Sequence, residues 1–357
     1  MHRDIRQTLA TFLVAVLVGV LAAPDAAARP RVVPPGFVPS ATSWTTAQQG
    51  WVLGFAPCPD GQCPVLVRTW DGGAKWWRAN VPPLPLPTDN RRVRVHFANG
   101  GNGLMTDGTS LYATHTAGLF WRRVDLPAEG PAPDIGALAA GDRAFYAIVS
   151  DDSGTRLVTS PLFGNDWHPV PGVALPDRGG GDVVAAGPRV HVALNAVHRS
   201  HGYWATSEGT AWHAARPPCP VHADPDLGLA AGTVYALCSA RPGMGDMVKQ
   251  LVRSTAGRPF TPVGRAPDAG ITTGFAVASP SVMAVTAVGR GAALVHRGVE
   301  GGAVWDTPVV LPGAPLHDLG FTDARHGTLV WGRPDHGDGR VYRTDDGGGT
   351  WTPLSFE

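Results

Sequence analysis

Short apolar runs separated by glycine-rich turns recur along the chain at a nearly constant interval. A glycine followed three residues later by an aromatic stands at seven places, with spacings of 45, 46, 45, 48, 45 and 46 residues. The pairs are Gly73/Trp76, Gly118/Trp121, Gly164/Trp167, Gly209/Trp212, Gly257/Phe260, Gly302/Trp305 and Gly348/Trp351. Self-similarity at such a period is typical of repeat architectures.

Each unit carries the pattern of four short strands. The second unit predicts strands at 93–97, 103–106, 110–114 and 121–126, and the last at 316–321, 327–332, 340–344 and 351–356. Seven units of four strands predict an all-β fold, a seven-bladed β-propeller of four-stranded antiparallel blades over residues 38–357. Radial repetition of this kind leaves no long exposed sheet edge.

The turn between the third and fourth strands has its most complete sequence at the two ends of the chain. Residues 69–76 and 344–351 both fit [Ser/Thr]-x-Asp-x-Gly-x-x-Trp, which we call the turn motif. The glycine can adopt a positive φ, and the aspartate can accept hydrogen bonds from backbone N–H groups of the turn. The tryptophan is expected to pack towards the neighbouring blade. The predicted structural residues are Asp71, Gly73, Trp76, Asp346, Gly348 and Trp351.

The turn motif resembles the Asp-box (BNR) repeat of sialidases, sortilin ectodomains, xyloglucanases and photosystem II assembly factors. The resemblance covers about residues 38–357. In those families the Asp box lies on the outer hairpin of the blade, away from the ligand. The resemblance therefore implies the fold and does not mark the site.

The composition argues against several classes of protein. Glycine (46) and proline (34) make up about 22% of the 357 residues, which disfavours a helix-rich fold. Only 16% of the residues are charged and the formal net charge is zero, so neither a disordered chain nor a basic nucleic-acid binder is expected. We expect a monomer.

The first 28 residues have the pattern of a secretory signal peptide. Arg3 and Arg6 precede the apolar run Leu9–Ala23, and small residues at 26–28 suit cleavage after Ala28. Residues 29–37 would then lead into the propeller, and the protein would be secreted or extracytoplasmic. The alternative is that the apolar run is kept as a membrane anchor. No later stretch is apolar enough to span a bilayer.

An even number of cysteines in an oxidising compartment indicates disulfides. Cys58 and Cys63 flank a hairpin tip and are expected to pair, which leaves Cys219 with Cys238. Metal ligation would require tighter clusters with histidines nearby.

Sialidase chemistry finds little support. The resemblance implies an arginine triad, a Tyr/Glu nucleophile pair and an acid/base aspartate, yet none of the four glutamates is well placed on a predicted inner strand. A xyloglucanase-like hydrolase with two aspartates stays open. We predict no catalytic residue.

The predicted ligand face carries the connections between blades and the loops between second and third strands. Loops on a rigid scaffold are where binding usually takes place. Carboxylates recur there just before the predicted inner strands, and the second blade adds two arginines. The candidates are Asp89, Asp134, Asp182, Asp226, Asp318, Arg92 and Arg94. A converging carboxylate ring at the channel mouth would hold a divalent cation such as Ca²⁺ or a basic group. The alternative is that these aspartates are turn residues with solvated charges.

The sequence thus predicts a secreted, non-catalytic binding module for a protein, peptide or glycan partner. Two alternatives remain, a sialidase-like or xyloglucanase-like glycoside hydrolase and an extracytoplasmic assembly or stability factor. No nucleic-acid partner is expected, and no membrane span after signal cleavage.

Overall fold

The computed structural model describes residues 33–87, 93–130, 133–196 and 201–356. The predicted signal segment, Asp89 and Arg92 lie outside the described residues. Seven sheets of four antiparallel strands form the fold, each from strands consecutive in sequence. The predicted seven-bladed β-propeller is confirmed.

Blades 1 to 4 follow one another along the chain. Blade 1 comprises β1 (Val38–Trp44), β2 (Gly50–Cys58), β3 (Gly61–Thr69) and β4 (Trp77–Ala79). Blade 2 comprises β5 (Arg94–Phe97), β6 (Gly103–Thr106), β7 (Leu111–Thr114) and β8 (Arg122–Val124). Blade 3 comprises β9 (Asp134–Ala140), β10 (Ala144–Asp151), β11 (Gly154–Pro161) and β12 (His168–Leu175). Blade 4 comprises β13 (Gly179–Ala186), β14 (Arg189–Ala196), β15 (His201–Thr206) and β16 (His213–Ala215).

Blades 5 to 7 complete the ring. Blade 5 comprises β17 (Ala223–Ala230), β18 (Thr233–Gly243), β19 (Asp246–Thr255) and β20 (Thr261–Ala266). Blade 6 comprises β21 (Ile271–Ser279), β22 (Val282–Gly289), β23 (Ala292–Val299) and β24 (Val304–Pro312). Blade 7 comprises β25 (Leu316–Phe321), β26 (Gly327–Arg333), β27 (Asp338–Thr344) and β28 (Thr352–Pro353), with a short 3₁₀ turn at Pro334–His336.

The apolar core lies between neighbouring blades. Leu104 and Leu111 of blade 2, for example, pack with Ile135 and Phe145 of blade 3. The motif aromatics join these cores, because Trp167 packs into this cluster and Trp121 packs against the cluster between blades 1 and 2. Burial of the apolar blade faces is therefore what holds adjacent blades together.

The turn motif is built by side-chain hydrogen bonds to its own backbone. In blade 7, Thr344 Oγ1 accepts from Gly348 N (2.8 Å), and Asp346 Oδ1 accepts from Thr350 N (2.9 Å). Burial alone would raise the pKa of Asp346, but hydrogen bonds from Thr350 N and from the hydroxyls of Thr344 and Thr350 lower it to about 2. Blade 2 has Thr116 at the aspartate position, and its hydroxyl accepts from Phe120 N (2.9 Å) instead.

Most motif glycines adopt the positive φ that the turn was expected to need. The six that do are Gly73, Gly118, Gly209, Gly257, Gly302 and Gly348. Gly164 departs from the pattern, since its N–H donates to Pro161 O (2.9 Å) in a different turn. Tertiary packing thus holds the hairpin of blade 3 without the motif geometry.

Within the described residues, the ring closes through contacts between blades 1 and 7, and each of these blades is built from its own consecutive strands. Thr42 N donates to Asp318 Oδ2 (2.9 Å), and Trp76 Nε1 donates to Ser355 O (2.9 Å). Beneath them, Val52 and Val67 of blade 1 pack with Val330 and Val341 of blade 7.

Both predicted disulfides are present, Cys58–Cys63 and Cys219–Cys238. The described part of the chain contains no helix with the length and hydropathy needed to cross a bilayer.

Candidate functional site

The two ends of the propeller differ. Strand direction alternates within a blade, so the turn motifs and the loops between first and second strands share one end, the turn face. The blade connections and the loops between second and third strands share the other, the linker face. Both disulfides lie at the linker face: Cys58–Cys63 closes the β2–β3 loop, and Cys219–Cys238 ties the connection between blades 4 and 5 to β18.

A cavity of about 440 Å³ occupies the centre of the ring. It is bounded by the inner strands of several blades, and three of the predicted site residues line it. These are Arg94, Asp182 and Asp318. His96, which the sequence analysis did not single out, lines it as well. Burial lowers the pKa of His96 to about 4, so this imidazole is neutral at neutral pH.

The three predicted residues share a structural role. Each one bonds the backbone of the inner strand of the next blade. Arg94 Nη1 donates to Gly136 O (2.9 Å), Asp182 Oδ2 accepts from Leu227 N (2.7 Å), and Asp318 Oδ2 accepts from Thr42 N (2.9 Å). These charged groups therefore join the inner strands of neighbouring blades by hydrogen bonds. The donor and acceptor atoms used in this way are not available to a ligand.

Asp182 and Asp226 stand at the same position of consecutive inner strands and influence each other. Burial raises the pKa of Asp182 to about 6, although the N–H groups of Leu227 and Val183 act in the opposite direction. Burial, together with the carboxylates of Asp182 and Asp224, raises the pKa of Asp226 to about 8. The Asp226 carboxyl is consequently protonated at neutral pH, and the pair carries less charge than two free carboxylates.

A raised carboxyl pKa makes stability fall as pH rises. Between about pH 4 and pH 8 the folded protein retains a proton on Asp226 that the unfolded chain has released, so stability declines across this window and levels off above it. We expect Asp226→Asn to remove the contribution of Asp226 to this decline, while that of Asp182 remains between about pH 4 and pH 6, and to stabilise the protein by on the order of 2 kcal/mol at about pH 8. Melting curves at about pH 5 and pH 8 measure it.

Asp134→Asn is the matched control, because Asp134 is exposed at the first position of β9. If stability varied with pH in the same way in the wild type and in Asp226→Asn, the raised pKa of Asp226 would be contradicted.

The predicted carboxylate ring is only partly assembled. Asp182 and Asp226 come together within the wall, whereas Asp134 lies exposed at the mouth, three residues earlier in its strand. Among the described residues, no group of three or more His, Cys, Asp or Glu side chains is arranged to hold a metal ion. Binding of Ca²⁺ or a basic group at the mouth stays a prediction.

A second cavity, of about 620 Å³, opens between blades 4 and 5 and is called the groove. Its walls are the connection 216–222 and the side of blade 5 that faces blade 4, and the Cys219–Cys238 disulfide joins the two. The lining is largely apolar and includes Pro217, Pro218, Val248, Val252, Phe260 and Pro262. A concave apolar surface with few polar groups is the usual form of a ligand site.

The polar groups of the groove are cationic or neutral. Arg216, His222 and Arg241 line it and are exposed, and no carboxylate is among its described lining residues. None of the three side chains makes a hydrogen bond or ion pair within the described ranges of the chain. In a protein of zero net charge, this concentrates positive potential at an apolar cleft.

Sequence reasoning also missed a fully buried lysine. Lys249 of β19 is 0% exposed, and its ammonium group lies among the carbonyl oxygens of the connection between blades 5 and 6. It is one of only two lysines in the chain, a composition signal that was available from the sequence.

The described strands and cavities define a seven-bladed β-propeller with a central cavity and a groove between blades 4 and 5. No protein-family model matches the chain, and no curated protein sequence matches it. Among solved structures similar to it is YCF48 bound to a D1 peptide, with 16% identity, 88% of this chain and 95% of that chain covered, and a TM-score of 0.55.

Two other similar structures differ in function. The BP39L lectin from Burkholderia pseudomallei has 14% identity over 89% of this chain and 99% of its own, with a TM-score of 0.56. An ulvan lyase of polysaccharide lyase family PL25 has 10% identity over 90% and 95%, with a TM-score of 0.53. At such identities the likeness shows the fold alone.

Proposed function

We propose that the protein is an extracytoplasmic, non-catalytic β-propeller of Asp-box repeats that binds a polypeptide partner at its linker face. The groove is the observation that carries the proposal. Its apolar lining offers a place for one or two apolar side chains of a partner. Arg216 and Arg241, which have no carboxylate partner in the described structure, would pair with acidic groups beside them.

The presence of two disulfides supports a role outside the cytoplasm. Disulfides persist in oxidising compartments. The Cys219–Cys238 bridge also fixes one wall of the groove against the other. A wall held in place before binding lowers the entropic cost of association.

The residues that line the central cavity favour binding over hydrolysis. Among the described lining residues there is neither a tyrosine nor a glutamate, the pair that sialidase chemistry requires. Asp182 uses both carboxylate oxygens for backbone N–H groups, those of Val183 and Leu227. A carboxylate committed in this way is poorly suited to act as a nucleophile or base.

The similar structures are consistent with this reading. YCF48 is seen with a peptide and BP39L is a lectin. Of these two ligand classes, we infer a polypeptide for this chain because the groove is lined by prolines, valines and a phenylalanine.

Peptide selection tests the proposal. The probe is a random peptide library displayed on phage, selected on residues 29–357, a chain that includes every described strand. We expect selected peptides to combine apolar and acidic residues. Their affinity, measured by fluorescence anisotropy, should fall by about tenfold or more in Arg216→Glu/Arg241→Glu.

The matched control is Arg143→Glu, which reverses an exposed arginine in the β9–β10 loop, at the turn face of blade 3. It should leave the affinity unchanged. Failure to select any peptide, or selected peptides that bind the double variant as well as the wild type, would refute the assignment of the groove.

A further inference from the structure

The turn face of blades 1 and 2 exposes large apolar side chains. Trp70, which follows β3, is 43% exposed, and Leu119 and Phe120 in the turn of blade 2 are 45% and 75% exposed. We call these three residues the aromatic patch. Phe163 in the corresponding turn of blade 3 is 77% exposed as well, whereas the turns of blades 4, 5 and 7 present Glu208, Arg258 and Asp345.

The three side chains belong to one continuous surface. The Arg68 guanidinium lies 4.4 Å from the ring centroid of Trp70, and its Nη1 donates to Ala117 O (3.1 Å) in the turn of blade 2. Asn80, just after β4, donates from Nδ2 to Leu119 O (2.6 Å). Trp70 and the 117–120 turn are therefore joined across the boundary between blades.

The fold holds the aromatic patch in place. Gly118 N donates to Thr114 Oγ1 (3.1 Å), and Phe120 N donates to Thr116 Oγ1 (2.9 Å). Trp121, next in sequence, packs against the core. The turn thus packs one partly buried aromatic, Trp121, against the core and presents a second, Phe120, to solvent on a fixed backbone.

Basic residues surround the aromatic patch. Lys75, Arg78, Arg122 and Arg123 are exposed in the turns or in the first residues of β4 and β8, beside the turn face. Arg78, Arg122 and Arg123 make no hydrogen bond or ion pair through their side chains within the described residues. Two carboxylates lie near them. Asp71 accepts hydrogen bonds inside its own turn, and Asp125 follows β8.

We propose that the aromatic patch and the basic residues around it dock the propeller on an anionic lipid surface. Tryptophan and phenylalanine side chains insert at the boundary between headgroups and acyl chains, while arginines pair with lipid phosphates. A protein partner would need carboxylates arranged to match four dispersed cations, whereas an anionic bilayer matches them in any arrangement. The surface lies opposite the linker face and is independent of the function proposed above.

Vesicle flotation tests this docking. The protein is residues 29–357, which retain the complete ring of blades and lack the apolar run Leu9–Ala23 that would bind lipid by itself. The probes are vesicles of phosphatidylglycerol and phosphatidylcholine in equal parts, and vesicles of phosphatidylcholine alone. We expect binding to the anionic vesicles only, weakening as salt is added.

Two double variants separate the contributions of the apolar side chains and of the arginines to vesicle binding. Trp70→Ser/Phe120→Ser and Arg78→Gln/Arg122→Gln should each weaken binding by about tenfold or more. All four side chains are at least partly exposed, so both variants should melt near the wild-type temperature. Met244→Ser, which changes a 95% exposed apolar side chain on the linker face, is the matched control and should bind like the wild type.

The docking is overturned if the wild type stays with the unbound fraction on anionic vesicles. It is also overturned if Trp70→Ser/Phe120→Ser floats as well as the wild type, or if Met244→Ser loses binding equally. Should the first variant fail to fold, the arginine variant alone decides between docking and no docking.

Discussion

Replacing Lys249 with methionine is expected to lower the free energy of unfolding by roughly 3–5 kcal/mol. The Lys249 ammonium donates to the carbonyl oxygens of Gly270 (2.7 Å), Pro267 (3.0 Å) and Asp268 (3.0 Å), and lies within 3.1–3.3 Å of two others. An ammonium has three protons, so some are shared between carbonyls. Methionine has a similar length and fills the space, but it leaves buried acceptors without a donor.

The neighbouring His296 cannot replace the missing donor. Its Nε2 already donates to Ala269 O (3.0 Å), and its Nδ1 is bonded to Thr307 Oγ1 (2.8 Å). Burial lowers the pKa of His296, and the positive charge of Lys249 acts in the same direction. Both ring nitrogens are already bonded, so neither is free to serve the carbonyls that Lys249→Met leaves without a donor.

Urea denaturation followed by tryptophan fluorescence measures the effect. Lys75→Met is the control, because it removes the only other lysine, which is exposed. It should change stability by less than about 0.5 kcal/mol. A Lys249→Met protein as stable as this control would show that the carbonyl cage does not depend on the ammonium.

Trp167→Ala is expected to cost a similar amount, roughly 3–5 kcal/mol. The Trp167 side chain is 7% exposed and packs with Leu104, Leu111 and Val124 of blade 2 across the blade boundary. Truncation leaves a cavity between two sheets whose positions are fixed by their other neighbours, so collapse can fill little of it. The melting temperature should fall by several degrees or more.

Trp70→Ala provides the comparison. This tryptophan is 43% exposed, so its loss should cost about 1 kcal/mol or less. Equal losses of stability in the two variants would contradict the role of the motif aromatics in joining blades.

The fold was predictable because its determinants are local and repeated. Each unit places a glycine and an aromatic at fixed positions of one hairpin, and seven copies reinforce a signal that one copy would not provide. The disulfide pairs were predictable for a similar reason, since Cys58 and Cys63 flank a turn. The turn of blade 3 was predicted less well, because packing of Leu162 and Trp167 replaces the motif geometry there.

The site was harder to predict because its residues are brought together from distant parts of the chain. Aspartates before inner strands were expected to face a common mouth, yet Asp134 stays at the rim while Asp182 and Asp226 lie deeper. Their depth depends on where each strand begins, which periodicity does not define to within a few residues. The groove depends on packing of connection 216–222 against blade 5, and no local pattern in the sequence encodes that contact.

The closure of the ring by contacts between its first and last described blades has a consequence for how the protein is made. The closing contacts join Thr42 to Asp318 and Trp76 to Ser355, pairs that are 276 and 279 residues apart. At typical synthesis rates the second partner emerges on the order of ten to sixty seconds after the first. Throughout that interval the first blade has no seventh blade to cover Val52 and Val67. Until blade 7 folds, the first blade of the nascent chain exposes this apolar face, so the unfinished ring is prone to aggregate.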